Sequence, residues 1–199
     1  MKKMIMMFLM MVGVMAHASS ADYNVRDYGA KGDGKTLDHQ AINAAIDSCV
    51  AHGGGRVVVP AGTYLCGSIR MKSHVELHLS AGAKILAAPA SMKAYDEAES
   101  WEGPAYQDGG HTYFKNSLIY AIGQEHVSIT GRGMIDGQGL TKKDTEKGGV
   151  VNGGNIGTGD KAIAFKLCRN ILIRDVTIYR GGHFAIILTG CELGTVDNV

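Results

Sequence analysis

Lys161-Ala-Ile-Ala-Phe165, followed by Cys168, returns 23 positions later as Phe184-Ala-Ile-Ile-Leu188, followed by Cys191. Ala162 falls on Ala185, Ile163 on Ile186 and Phe165 on Leu188, and the register runs on to place Ile173 on Val196 and Asp175 on Asn198. A fixed period in the twenties with β-branched residues at alternate positions is the signature of a solenoid. The segments are short and apolar and lack helical spacing, so each period reads as strands stacked on the next. Residues one period apart then sit about 4.8 Å apart, one strand spacing.

Working outward, strand patterns recur along the chain. Val57-Val-Val59 leads through Pro60-Ala-Gly62 into Thr63-Tyr-Leu65, and Val75, Leu77 and Leu79 alternate with His74, Glu76 and His78. Val127-Ser-Ile129 follows, and then the turn Gly131-Arg-Gly-Met-Ile-Asp136-Gly. Asp136 stands before a glycine, as turns prefer, and reads as a turn residue. His74-x-Glu76-x-His78 puts three polar groups on one strand face, a spacing that an exposed face explains as well as a metal does. No metal is assigned.

One stretch is helical. Asp38 stands where a cap belongs, Ile42, Ile46, Cys49 and Val50 form one apolar face, and Gly53 to Gly55 end the pattern by His52. Set before the first repeat, such a helix covers the open end of a solenoid. Two stretches break the rhythm: Ala88 to Asn116, rich in aromatic and acidic residues, and Leu140 to Asp160, rich in glycine and mixed charge. Long excursions of this kind often carry function, and aromatic and carboxylate groups suit a sugar.

The ends and the composition narrow the class. With 199 residues, 45% of them hydrophobic, and 28 glycines, the chain reads as one turn-rich domain. Lys2 and Lys3, the apolar run Met4 to Met15, and Ala16-His17-Ala18 form a secretory signal, so residues 1–18 are expected to be cleaved. Residues 19–199 are expected to be the N-terminal part of one solenoid domain, and the mature protein to be secreted or periplasmic, with no stable membrane anchor. Removing Lys2 and Lys3 from the 20 basic residues leaves 18 against 19 acids, which argues against a general nucleic-acid binder. Cys49, Cys66, Cys168 and Cys191 meet an oxidising compartment, although Cys168 and Cys191 equally suit an inward column of small hydrophobes. The sequence stops at Val199 inside a repeat, with no cap, and reads as truncated.

Asn24-Val-Arg-Asp-Tyr-Gly-Ala-Lys-Gly-Asp-Gly-Lys-Thr36, Gln40-Ala-Ile-Asn-Ala-Ala-Ile46 and Gly53-Gly-Gly-Arg-Val-Val-Val-Pro-Ala-Gly-Thr-Tyr64 resemble the start of polygalacturonase-like enzymes of glycoside hydrolase family 28. Gly131 to Gly139 and Cys168 to Ile178 resemble later stretches of the same family. The resemblance implies an all-β fold: a right-handed parallel β-helix with an N-terminal capping helix, acting on pectic polysaccharide. It also implies inverting hydrolysis, in which one carboxylic acid protonates the leaving oxygen while carboxylates activate a water. The family's Asn-Thr-Asp-Gly, Asp-Asp, Gly-His-Gly and Arg-Ile-Lys are not found here. Gly182-His183-Phe184 departs from the third, and Arg70-Met71-Lys72 mimics the fourth on an early rung. No catalytic residue is carried over, and no cofactor is implied.

The family places its first catalytic aspartate one rung beyond the strand that starts at Phe184. Arg180, His183 and Lys161 then border that position and are candidate substrate-binding cations for galacturonate carboxylates. Two other readings stand beside the hydrolase: a non-catalytic glycan-binding β-helix of adhesin or tailspike type, and a polysaccharide lyase. A calcium-dependent lyase needs a column of acids, whereas this register sets Asp160 beside His183 and Arg174 beside Asp197.

Overall fold

The computed structural model describes residues 22–100, 109–140 and 159–199. The predicted signal at 1–18 and most of the second excursion lie outside them. In chain order the described elements include β1 (Asp22–Asn24), β2 (Asp33–Leu37), α1 (His39–Ala51), β3 (Gly55–Val59), β4 (Gly62–Cys66), β5 (Ile69–Arg70), β6 (Val75–Leu79) and β7 (Ala83–Ala87). There follow β8 (Ile119–Ile122), β9 (Glu125–Gly131), β10 (Met134–Asp136), β11 (Lys161–Lys166), β12 (Arg169–Arg174), β13 (Thr177–Tyr179), β14 (Phe184–Thr189) and β15 (Glu192–Asp197).

These strands make three parallel sheets around one core. The first sheet runs β1-β3-β6-β9-β12-β15, the second β2-β4-β7-β10-β13, and the third β5-β8-β11-β14. The chain visits them in rotation, so the fold is a right-handed parallel β-helix. The 23-residue register is present as read: Lys161 pairs with Phe184, Ile163 with Ile186, Phe165 with Leu188, and Ile173 with Val196.

Inward columns hold the rungs together. Val57, Leu77, Ile129 and Ile173 stack across the first sheet, and Ile69, Ile119 and Ile163 across the third, all without exposed surface. Each such side chain stabilises the fold by about 1.5–3 kcal/mol through burial. Cys168 belongs to this interior, and all four cysteines are unpaired thiols. Burial pushes the Cys168 thiol up, away from reactivity.

The helix α1 lays Ile42, Ala45, Ile46 and Cys49, all fully buried, against the first rung. Val50 turns outward at 37% exposure. The expected cap differs in kind: the Asp38 carbonyl accepts from Ile42 N, but its carboxylate accepts from Lys31 N (2.7 Å) and Gly32 N (2.9 Å). It therefore ties the glycine-rich turn to the helix start, because those two amides point at it first.

The corners between the third and first sheets follow one recipe. A left-handed residue follows β8, β11 and β14 at Gly123, Leu167 and Gly190, and a second stands three residues on, at His126, Asn170 and Leu193. Leu167 adopts this conformation although it has a Cβ and is 62% exposed, so stacking imposes the turn. His74 is in the same state, at φ 62°, which places it at a corner and leaves only Glu76 and His78 of the expected trio on the strand face.

Candidate functional site

The corner between the second and third sheets is where regularity ends. Ile69 pairs with Ile119, Ile119 with Ile163 and Ile163 with Ile186, separations of 50, 44 and 23 residues. Both long steps exceed the basic period because an excursion leaves at this corner, between β7 and β8 and again between β10 and β11. At the third passage only Arg180 to His183 intervene between β13 and β14.

The first excursion folds onto the outer face of the third sheet. Asp96 accepts from Arg70 Nε (2.7 Å) and Nη2 (2.6 Å) and from the Tyr120 hydroxyl (2.8 Å). Burial opposes its ionisation, but these bonds outweigh burial and hold the carboxyl below its usual range. Glu99 accepts from Phe114 N (2.9 Å) and Lys115 N (3.0 Å) and lies 3.9 Å from Lys166 Nζ, which sits 5.3 Å from the Phe114 ring centroid. Tyr95 donates to the Ala88 carbonyl at 2.9 Å, and its ring lies against Gly159, where a Cβ would stand 2.3 Å from it. Ala162, Ala164 and Phe114 consequently have no exposed surface.

The expectation that this excursion offers its aromatic and acidic groups to a sugar is corrected for these residues. Tyr95, Asp96, Glu99 and Tyr113 turn inward and fasten the excursion, since the outer face of the third sheet supplies Arg70, Tyr120 and Lys166 as partners. Trp101, Tyr106 and Asp108 lie outside the described residues. Arg70 and Lys72 are held by Asp96 and Asp47, away from any site of the family's type.

The second passage builds a buried knot. Lys161 has no exposed surface, and its Nζ donates to Asp160 Oδ1 at 2.5 Å. Burial pushes the Asp160 carboxyl up, against the pull of Lys161 and of His183. The His183 amide donates to the Asp160 carbonyl at 2.7 Å, and a Cβ on Gly182 would stand 2.3 Å from that same carbonyl, so glycine is required there. His111, His183 and Phe184 meet edge to face, with centroids 4.4–6.3 Å apart.

Arg180 lies beside this knot. Its Nε and Nη2 hold the two oxygens of Asp136 at 2.9 and 2.6 Å, Nη2 also reaches Gln138 at 3.0 Å, and the guanidinium lies 4.7 Å from the Tyr179 ring centroid. Asp136 is buried and accepts from Gln138 N at 3.2 Å; it is the last residue of β10, paired with Leu86 and Tyr179, so the expected turn begins one residue later. The Arg180 side chain keeps 44% exposure and lines a cleft of about 310 Å³ with Gly137, Gln138, Leu140, Gly181 and Gly182.

Of the three cations read from the sequence, Arg180 and His183 thus border one corner, and Lys161 lies behind them. Lys161 cannot touch a ligand directly, because Asp160 draws its ammonium inward. Sequence reasoning had set Asp160 next to His183 without seeing that Asp160 is the hub. Among the described residues, no three His, Cys, Asp or Glu side chains are grouped to hold a metal ion.

The model of the rhamnogalacturonase A/epimerase, pectate lyase-like family matches residues 23–190. The chain belongs to that family. The chain is also similar to exo-poly-α-D-galacturonosidase of Dickeya chrysanthemi, 35% identical over 137 residues, covering 65% of this chain and 21% of that one. Plasmin and fibronectin-binding protein A of Streptococcus pneumoniae is 33% identical over 182 residues, 88% of this chain and 23% of its own length. The family chain thus spans under a quarter of either curated relative. Among solved structures, an exopolygalacturonase of Thermotoga maritima superposes with a TM-score of 0.63 at 26% identity, over 88% of this chain and 48% of that one.

Proposed function

We propose that this chain forms the opening rungs of an exported pectin-degrading glycoside hydrolase that removes galacturonate units from a chain end by inverting hydrolysis. The observation that carries the exo reading is the covered outer face of the third sheet. Asp96, Glu99 and Phe114 fasten the first excursion over β8 and β11, whereas the outward side of β14 stays open, with Ala185 exposed. A polysaccharide lying along the solenoid over this sheet meets a wall, which suits binding of a terminus. The similarity to an exo-poly-α-D-galacturonosidase supports the same reading.

In this proposal His183 and Arg180 offer donors to uronate carboxylates, and Lys161 is a positioning residue that holds Asp160 and through it His183. Inversion needs an acid and a base about 6.5–9.5 Å apart across the sugar. Asp96, Asp136 and Asp160 are each held by a cation, so the acid and base belong on rungs following β15. The test is the product profile of the full-length protein on polygalacturonate. Small products from the first minutes with little loss of viscosity are expected. Rapid loss of viscosity with long oligomers would refute the exo reading, and residues 1–199 alone should release no reducing sugar.

A second reading is a non-catalytic glycan-binding β-helix; the similarity over 88% of the chain to a protein named for binding plasmin and fibronectin supports its non-catalytic part. It predicts retention on immobilised pectin by a full-length protein that never hydrolyses it.

A further inference from the structure

The outer face of the first sheet takes no part in the reading above, and no described excursion covers it. Its outward residues line up across the strands: Arg56, Glu76 and Ser128 in one column, Val58, His78 and Thr130 in the next. Along the adjoining corner, His74 and His126 stack with ring centroids 5.2 Å apart and planes 20° apart.

Two depressions lie on this face and meet at Glu76. One, of about 630 Å³, is lined by Arg56, His74, Glu76, His126 and Ser128 among others. The second, of about 420 Å³, is lined by Glu76, His78, Ser80, Thr130, Arg132 and Asp175 among others. Together they form one trough that runs along β6 and β9 from the His74–His126 pair to Arg132.

The polar groups of the trough are oriented before any ligand arrives. Thr130 Oγ1 donates to Glu76 Oε1 at 2.5 Å, and His78 Nδ1 lies 2.9 Å from the same hydroxyl. Arg56 is held by Asp22, and Asp175 accepts from Asn198 at 2.7 Å. Both carboxylates lining the trough therefore have donors. The exposed Arg132 guanidinium, in contrast, makes no ion pair among the described residues. The trough thus presents an uncommitted cation at one end, flat imidazole faces at the other, and fixed hydroxyl and carboxylate acceptors between.

We propose that this trough is a second glycan-binding site, separate from the third-sheet face, and that it takes an extended strand of uronate-bearing polysaccharide. Arg132 would bind a uronate carboxylate by charge-assisted hydrogen bonds, Glu76, Ser128 and His78 would bind ring hydroxyls, and the imidazole pair would seat a sugar face. A strand held here raises the effective concentration of the same polymer at the third-sheet face. The choice of a uronate polymer rests on the proposed substrate class, whereas the existence of the site does not.

The test is binding, read without hydrolysis. Residues 1–199 are titrated with a decamer of galacturonate and with a neutral galactan of equal length, following calorimetry and backbone amide shifts. The expected result is binding of the acidic decamer with shifts at Ser128, Thr130 and Arg132. The variants Arg132→Ala and His126→Asn should each weaken it by about tenfold or more, the second keeping a residue that tolerates the left-handed corner. Unchanged affinity in both variants, with native circular dichroism, would overturn the proposal, as would no binding of either glycan. Preference for the galactan would overturn the uronate assignment. In the full-length protein, failure of the wild type to hydrolyse a trisaccharide would count against the hydrolase reading alone, so the two failures register separately.

Discussion

The third and first sheets grow from the same stacked rungs and acquire opposite exteriors. Inside they are alike: Ile119 and Ile163 on one, Leu77 and Ile129 on the other, all without exposed surface. Outside, the third sheet carries Arg70, Tyr120 and Lys166 under an excursion, while the first sheet shows Glu76, His78 and Thr130 to solvent. The difference arises at the corners. Between the third and first sheets a left-handed residue turns the chain at once, at Gly123, Leu167 and Gly190. Between the second and third sheets the chain twice leaves the coil, between β7 and β8 and between β10 and β11, and returns many residues later. The rung sets the interior, and the corner that interrupts it sets the face available for chemistry.

The sharpest way to break this comparison is to exchange interior for exterior. Phe165→Ala in the inward column should cost about 3–5 kcal/mol in urea unfolding, whereas Thr195→Ala on the exposed face of the first sheet should stay within about 0.5 kcal/mol. Similar values at the two sites would mean that the columns do not carry the stability.

The buried knot at the irregular corner comes next. Lys161→Met leaves Asp160 without its cation and should cost about 3 kcal/mol. The double change with Asp160→Leu should recover part of that loss, measured as a double-mutant cycle. Equal losses in the single and double variants would show that Asp160 does not depend on Lys161.

A smaller effect tests how the excursion is fastened. Asp96→Asn removes a charged acceptor shared by Arg70 and Tyr120, and a cost of about 1.5–3 kcal/mol is expected, toward the low end because Arg70 is half exposed. The Asp96 carboxyl lies below its usual range in the folded state. Its contribution is therefore present above the ordinary carboxylate pKa and is lost as pH falls through the folded value. Protection at Lys115 and Asn116, taken relative to the intrinsic exchange rate at each pH, should fall in the variant and, for the wild type, at acid pH. Protection that ignores both changes would detach the excursion from Asp96.

The smallest effect belongs to a regular turn. Asp33 accepts from Lys35 N and Thr36 N, both at 2.8 Å, and from the Thr36 hydroxyl at 2.9 Å, which together bring its pKa down to about 2. Its share of stability should be intact above about pH 4 and fade as pH falls toward 2. Asp33→Asn should flatten the wild-type acid limb slightly over that window, and an identical limb would remove the turn from the account.

How much was legible in advance follows from where insertions fall. Ile163 and Ile186 are 23 apart with nothing between them but the turns of one rung, so the repeat, the parallel β-helix and the inward column are written in local order. Alternation needs only neighbouring residues, and the covering helix needs only Ile42, Ile46 and Cys49 at helical spacing, whereas the left-handed corner at Leu167 is imposed by stacking. The partners at the irregular corner are different in kind. Asp136 meets Arg180 across 44 residues, and Arg70 meets Asp96 across 26. Those separations depend on the lengths of excursions that follow no period, so no repeat predicts them. Desolvation decided the rest: Lys161 looked like an exposed cation beside a strand, but once β8 and β14 flank β11, its only low-energy course is inward to Asp160. The bare first sheet likewise came from packing, because its polar residues are ordinary in sequence and form a trough only when β6 and β9 set Glu76, His78, Thr130 and Arg132 side by side.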